Sequence, residues 1–217
     1  MIRENLEKIK SSLPEDVTLV AVSKTKPNED ILEAYESGHR IFGENKVQEL
    51  VGKHEALPKD IEWHMIGHLQ RNKVKYIAPF VKLIHGVDSL RLLQEIQKQA
   101  AKNNRVQEVL LQMHIADEST KFGLDEKELI EILEQLNEYP QVKVIGLMGM
   151  ATFTDDQDKV SNEFSFLRSI FDKYKSDYQL TTLSMGMSGD YPLAIENGSS
   201  MIRVGSSIFG SRNYPNA

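Results

Sequence analysis

Eight short apolar runs recur along this chain with longer helical patterns between them. That alternation limits the fold more than any single residue does. The runs are VTLVAV (17–22), HRIFG (39–43), EWHMIG (62–67), VKLIHGV (81–87), VQEVLLQMHI (106–115), VKVIGLMGM (142–150), LTTLSMG (180–186) and SMIRVGS (200–206). Between several of them, apolar residues repeat at three- and four-residue spacing, as an amphipathic helix requires. The pattern predicts helices over 28–37 with Asn28 as N-cap, over 89–102, over 125–138 with Leu129, Ile132, Leu133 and Leu136 on one face, and over about 155–176. A shorter one is expected over 188–198, capped by Ser188, and another over 2–13, ahead of the first strand.

Strands alternating with helices predict βαβ units and a parallel sheet. Eight units in 217 residues point to one domain, 1–217, folded as a (β/α)8 TIM barrel with an extra N-terminal helix. A doubly wound open sheet is the rival, since continuous apolar strands suit both architectures. The count of eight favours closure. Chemistry is then expected at the C-terminal ends of the strands.

Composition removes several function classes. No cysteine is present, so disulfides, thiolate metal sites and cysteine nucleophiles are excluded, and a reducing cytoplasm is the expected location. Net charge is −6, from 26 Lys and Arg against 32 Asp and Glu, which argues against non-specific binding of nucleic acid. The charged start MIRENLEKIK carries no signal-peptide core, and no apolar run has the length of a membrane span. The sequon Asn197-Gly198-Ser199 therefore reads as a helix end. His64 and His68 are four apart but lie in a strand pattern, so no metal site is expected.

Three sets of residues stand out. In VAVSKTKP, side-chain alternation sends Val20, Val22 and Lys24 to the same side, with Lys24 at the strand's end. It reads either as a rim lysine reaching for water or as a partly desolvated amine able to form a Schiff base. Lys26 precedes Pro27, which holds it extended and further out. In the last strand, Arg203 sits among apolar residues and needs a partner, either a core acceptor or a ligand. Gly205 and Ser206 follow it, where barrels commonly hold phosphate. Ser184 and Ser188, after the seventh strand, offer two hydroxyls. A closed barrel makes the first and eighth strands neighbours. These sets then suit pyridoxal 5′-phosphate (PLP): aldehyde on Lys24, phosphate on Ser184, Gly205 and Ser206, and pyridine nitrogen on Arg203. An arginine at that nitrogen disfavours its protonation and weakens the ring as an electron sink.

Six motifs in order, LVAVSKTKP, HRIFGEN followed by VQEL, EWHMIGHLQRNK, GLMGM, LSMGMSGD and MIRVGSSIFG, resemble the pyridoxal phosphate homeostasis protein family. The resemblance runs from Leu19 to Gly210. It implies a barrel of the alanine racemase N-terminal domain type, with Lys24 as the Schiff-base lysine and Arg203 facing the pyridine nitrogen. It also implies phosphate contacts from Gly205, Ser206 and Ser184, a weaker one from Ser188, and Asn45 lining the site. Where the family often carries an aromatic residue after GEN, this chain has Lys46. The implied role is non-catalytic: PLP is held and released to other proteins, possible receivers being PLP-dependent apo-enzymes, with effects on vitamin B6 and amino-acid balance.

The alternative is a PLP-dependent amino-acid racemase. Two-base racemisation needs a proton acceptor on each face of the bound substrate. In racemases of this fold the second base is a tyrosine from another domain, for which the seven residues 211–217 leave no room. Tyr191 and Tyr214 are poor substitutes. The expectation is a monomeric binder, not an enzyme.

Overall fold

A computed structural model describes residues 1–119 and 122–211. Its elements run α1 (Ile2–Ser12), β1 (Thr18–Val22), α2 (Asn28–Glu36), β2 (Ile41–Glu44), α3 (Val47–Ala56) and β3 (Glu62–Met65). They continue α4 (Val74–Ile77), β4 (Leu83–Val87), α5 (Leu90–Lys102), β5 (Gln107–Gln112), α6 (Glu126–Glu134) and β6 (Val142–Met148). The last are α7 (Gln157–Tyr178), β7 (Thr182–Met187), α8 (Tyr191–Glu196), β8 (Met201–Val204) and α9 (Ser206–Phe209). The eight strands form a closed parallel barrel in sequence order. The closing pair is β1 with β8, in register Thr18 to Met201 and Val20 to Arg203. The expected (β/α)8 barrel with its leading helix is therefore the fold, and the open-sheet rival is excluded.

Strand alternation divides the apolar residues into two separate cores. Val20, Val22, Ile66, Leu83, Leu110, Met148 and Met201 pack together inside the barrel. The other parity, including Ala21, Phe42, Trp63, Ile84, Val109, Leu147, Leu183 and Ile202, packs outward under the helices. Gly43 belongs to the inner side: a Cβ there would lie 2.9 Å from Val20 Cγ1 and 3.0 Å from Ile66 Cδ1. No described helix is long and apolar enough to cross a membrane.

Several local expectations change. The first helical residue of α2 is Asn28, and the capping position belongs to Pro27, whose ring presets an extended entry. Ser188 does not cap α8, which begins at Tyr191 after Asp190. Helix α3 escapes the periodicity reading because Gly52 interrupts it and its buried apolar face is only Val47 and Leu50. By contrast, Ser89 caps α5 by accepting from Leu92 N–H at 3.1 Å, and Asp125 with Glu128 forms a capping box on α6. Helix α8 ends at Glu196 and Gly198 follows with φ of 92°, as the sequon's reading required. Tyr214 lies outside the described residues.

Candidate functional site

β1 stops at Val22, and the next four residues close a tight turn in which Lys26 N–H donates to Ser23 O at 3.1 Å. Lys24 occupies this turn, half-buried, at the C-terminal end of the first strand. Thr25, beside it, has φ of 64°, a left-handed conformation that β-branched residues rarely adopt. Its N–H donates to Glu49 Oε1 at 2.6 Å. Lys26 points its amine elsewhere. Its Nζ donates to Phe209 O at 3.0 Å and Gly210 O at 3.2 Å, carbonyls that the end of α9 leaves without helical partners. The two lysines thus have separate positions, and Lys26 holds the end of α9.

Beneath the turn lies a strut that sequence reading missed. Lys53 from α3 donates to Ser23 O, Glu44 Oε1 and Glu49 Oε1, each at 2.7 Å. Ser23 Oγ donates to the same Glu44 oxygen at 2.6 Å. Lys53 and Glu44 are both buried. Burial pushes the Glu44 carboxyl above its ordinary range, and Lys53 and Ser23 oppose that rise. The strut joins α3 to the carbonyl immediately before Lys24.

Arg203 shares the inner side of β8 with Met201 and is 3% exposed. Its Nη1 donates to Ser184 Oγ and, at 3.2 Å, to Ser184 O. Its Nη2 donates to Gly149 O at 3.2 Å. A guanidinium has five N–H groups. Three have protein acceptors among the described residues, and two remain for something else. Burial lowers the Arg203 pKa to about 10, against an opposing pull from Asp190, so the group stays cationic at neutral pH. Ser184 is fully buried, and His85 Nδ1 lies 3.1 Å from the same hydroxyl. This hydroxyl, expected to meet phosphate, is in contact with Arg203 and His85.

The rims of β7 and β8 are tied together. Gly205 N–H donates to Ser188 Oγ at 3.0 Å, so Ser188 braces this corner where a cap had been expected. A Cβ on Gly205 would lie 3.1 Å from Val22 O and 3.2 Å from Val22 Cβ, so the backbone here runs tight against the strand that leads to Lys24. Ser206 opens α9 and is exposed, and the first amides of any helix lack intrahelical acceptors. On the β2 side, Asn45 is half-buried and pressed against Gly67, where a Cβ would come within 2.6 Å of Asn45 O. The structure therefore gathers Lys24, Arg203, Gly205, Ser206 and Ser188 on the adjoining ends of β1, β7 and β8, with Asn45 on the next strand round. His68 is exposed and stacks on Phe122 at 4.0 Å, whereas His64 is buried in the barrel.

The sequence profile of the alanine racemase N-terminal domain matches residues 1–213. The curated pyridoxal phosphate homeostasis protein of Aquifex aeolicus is 45% identical over 90% of this chain and 87% of its own length. This chain belongs to that family. The homeostasis protein of Vibrio alginolyticus is 38% identical over 98% of both chains. Among solved structures, PipY of Synechococcus elongatus is 37% identical, with a TM-score of 0.92 without PLP and 0.88 with PLP bound, over 97% of this chain and all of that one. Alanine racemase of Clostridium difficile shares the fold at 16% identity and a TM-score of 0.78 over 57% of its length.

Within this homeostasis-protein frame, the lysine at position 46 is exposed and precedes α3. The strut of Ser23, Glu44, Lys53 and Glu49 had one readable trace. In the observed register Val22 faces Gly43, so Ser23 and Glu44 follow as neighbours of equal, outward parity. An acid as the last residue of a buried strand, beside a serine of the same parity, marks a buried polar contact.

Proposed function

We propose that this protein binds PLP at the ends of β1, β7 and β8 and serves PLP homeostasis, holding the cofactor on Lys24 and releasing it. The observation that carries the reading is Arg203: a buried cation with two N–H groups unspent among the described residues, one strand away from a half-buried lysine. When bound, PLP supplies an aldehyde carbon that an amine captures reversibly. Lys24 provides that amine. Arg203 donates toward the ring nitrogen from below and, being cationic, opposes its protonation. The opening amide of α9 at Ser206 would hold the phosphate, with Gly205 letting the backbone approach it closely and Ser188 fixing the Gly205 corner by accepting its N–H. Asn45 lines the opposite wall. Ser184 acts through Arg203. Lys26 holds the end of α9. PipY, which is solved with PLP bound, supports the assignment.

We read the role as non-catalytic, the protein as cytoplasmic and monomeric, and PLP-dependent apo-enzymes as receivers. The relatives' printed names support the homeostasis role. The charge on Arg203 supports the absence of carbanion chemistry, because an unprotonated ring is a weak electron sink.

The test is the visible spectrum of the purified protein supplied with PLP. A yellow band is expected, lost in Lys24→Ala and kept in Lys26→Ala. A protein that stays colourless defeats the assignment, and loss of the band in Lys26→Ala alone would move it to the other lysine. Incubation of the yellow protein with L-alanine in D2O separates binder from racemase: no deuterium should enter at Cα, and turnover with inversion would overturn the non-catalytic reading.

A further inference from the structure

Below Arg203 the barrel interior holds two histidines that the proposed binding reaction does not use. His64 Nδ1 lies 2.9 Å from His85 Nε2, and His85 Nδ1 lies 3.1 Å from Ser184 Oγ. His64 is 3% exposed and His85 fully enclosed. Their strands place them inside. His64 faces Leu83 across β3 and β4, Leu83 belongs to the inner core, and His85 has Leu83's parity.

Donor and acceptor counting leaves two directions for this chain, and the Arg203 charge selects between them. Arg203 can only donate, so Ser184 Oγ accepts. The serine keeps one proton and one further lone pair, and the arrangement that turns every dipole toward the cation gives that proton to a bare His85 Nδ1. A neutral His85 therefore carries its proton on Nε2 and donates to a bare Nδ1 of His64, whose proton is likewise on Nε2. Burial holds both rings neutral, with the His64 pKa near 3 and that of His85 well below its ordinary value. Each dipole in the row presents its negative end toward the guanidinium.

We infer that His64 and His85 are positioning residues which, through Ser184, orient and solvate the Arg203 cation as a one-way neutral chain. A buried charge normally needs a counter-charge or several oriented dipoles. A carboxylate beneath Arg203 would cancel much of its field at the ligand side. Neutral imidazoles supply acceptor dipoles and add no second carboxylate to the pull that Asp190 already exerts. What this chain does to bound cofactor rests on the PLP reading proposed above; the tautomers rest on the barrel alone.

The test is long-range ¹H–¹⁵N NMR of the imidazole rings, on the full chain with and without PLP. Both buried rings should show the neutral Nε2–H pattern and keep it from pH 6 to 8. An imidazolium, or an Nδ1–H ring at His85, overturns the inference. Ser184→Ala cuts the row at nearly constant volume. His85 should then lose its single tautomer, and PLP affinity should fall roughly tenfold, the size of a hydrogen bond to a charged group. A fall in affinity with unchanged ring signals would make Ser184 a direct ligand contact and sink the chain. If Ser184→Ala fails to fold by circular dichroism, the tautomers of the unsubstituted protein still decide. A colourless wild type defeats the PLP reading while the ring signals judge the chain separately.

Discussion

Replacing Lys53 by methionine tests the strut under Lys24. The change keeps an unbranched side chain of similar length and removes one charge. Glu44 is then left with Ser23 Oγ, and its Oε2 already has no hydrogen-bond partner among the described residues. The folded state has two choices. It can bury a carboxylate with no cation beside it, at about 3–5 kcal/mol. Or Glu44 can take up a proton. A free glutamate titrates near 4.5. Proton uptake at pH 7 spans two and a half units, each worth about 1.4 kcal/mol, so the cost is ~3.4 kcal/mol. The cheaper route sets the penalty, and lost hydrogen bonds to Ser23 O and Glu49 add about 1 kcal/mol each.

The sign follows from linkage. Burial already raises the folded-state pKa of Glu44, and removing Lys53 raises it further. A group raised in the folded state favours folding below its unfolded pKa, and the advantage is lost as pH rises through the folded value. The Lys53→Met deficit should therefore shrink by about 1.4 kcal/mol per unit as pH falls from 7 toward 5. Urea unfolding of the PLP-free protein, followed through the single buried Trp63, measures this. The double variant Glu44→Gln/Lys53→Met should recover much of the loss at pH 7 and lose the slope. A deficit that stays constant between pH 5 and 8 would refute the argument, because the loss would then be packing and not charge.

Two smaller predictions concern backbone. Gly67→Ala would place a Cβ 2.6 Å from Asn45 O and 2.9 Å from Asn45 Cα, both main chain, so no rotamer relieves it. A loss of about 1–3 kcal/mol and weaker PLP retention are expected by urea unfolding and visible titration; unchanged retention would remove Asn45 from the site. Thr25→Gly relaxes the 64° φ and should raise stability by up to about 1 kcal/mol, with the visible band retained. A fall in the urea midpoint would show that the threonine side chain contributes more than its backbone costs.

How much of this was readable without coordinates depends on the range of the interaction. Strands buried on both faces announce themselves as apolar runs, so all eight were found, with ends shifted by a few residues. Val20 and Val22 were placed inside by alternation alone, and Arg203 became suspect because a charge in an apolar strand demands a partner. The contacts of Ser184 were not readable from its neighbours in sequence. Its partner His85 is 99 residues away, and nothing local separates a serine that braces an arginine from one that meets a phosphate. The cap reading of Ser188 failed differently: a hydroxyl three residues before a helix reads as a cap, yet this one accepts from Gly205 N–H across the ends of β7 and β8. Lys53 was hidden because α3 has a weak apolar stripe, so its inner face was not visible.

The two buried charges near the site are handled in opposite ways, and the difference follows from what each faces. Glu44 lies on the outer side of β2, against helix α3, where nothing but protein meets it. A counter-ion can neutralise it there, and Lys53 does so while also gripping Ser23 O. Arg203 lies on the inner side of β8, under the strand ends. In the proposed reading its charge is the working part: it opposes protonation of the ring nitrogen and keeps the bound cofactor unreactive. Full neutralisation would remove that effect, so its hydrogen-bond partners are two carbonyls and a hydroxyl backed by two neutral imidazoles, with Asp190 acting on it only as a charge. Strand parity alone separates the two cases. Glu44 follows inward-facing Gly43 by one residue, and Arg203 follows inward-facing Met201 by two. One residue of offset decides whether a charge at the barrel's end becomes a strut or part of the site.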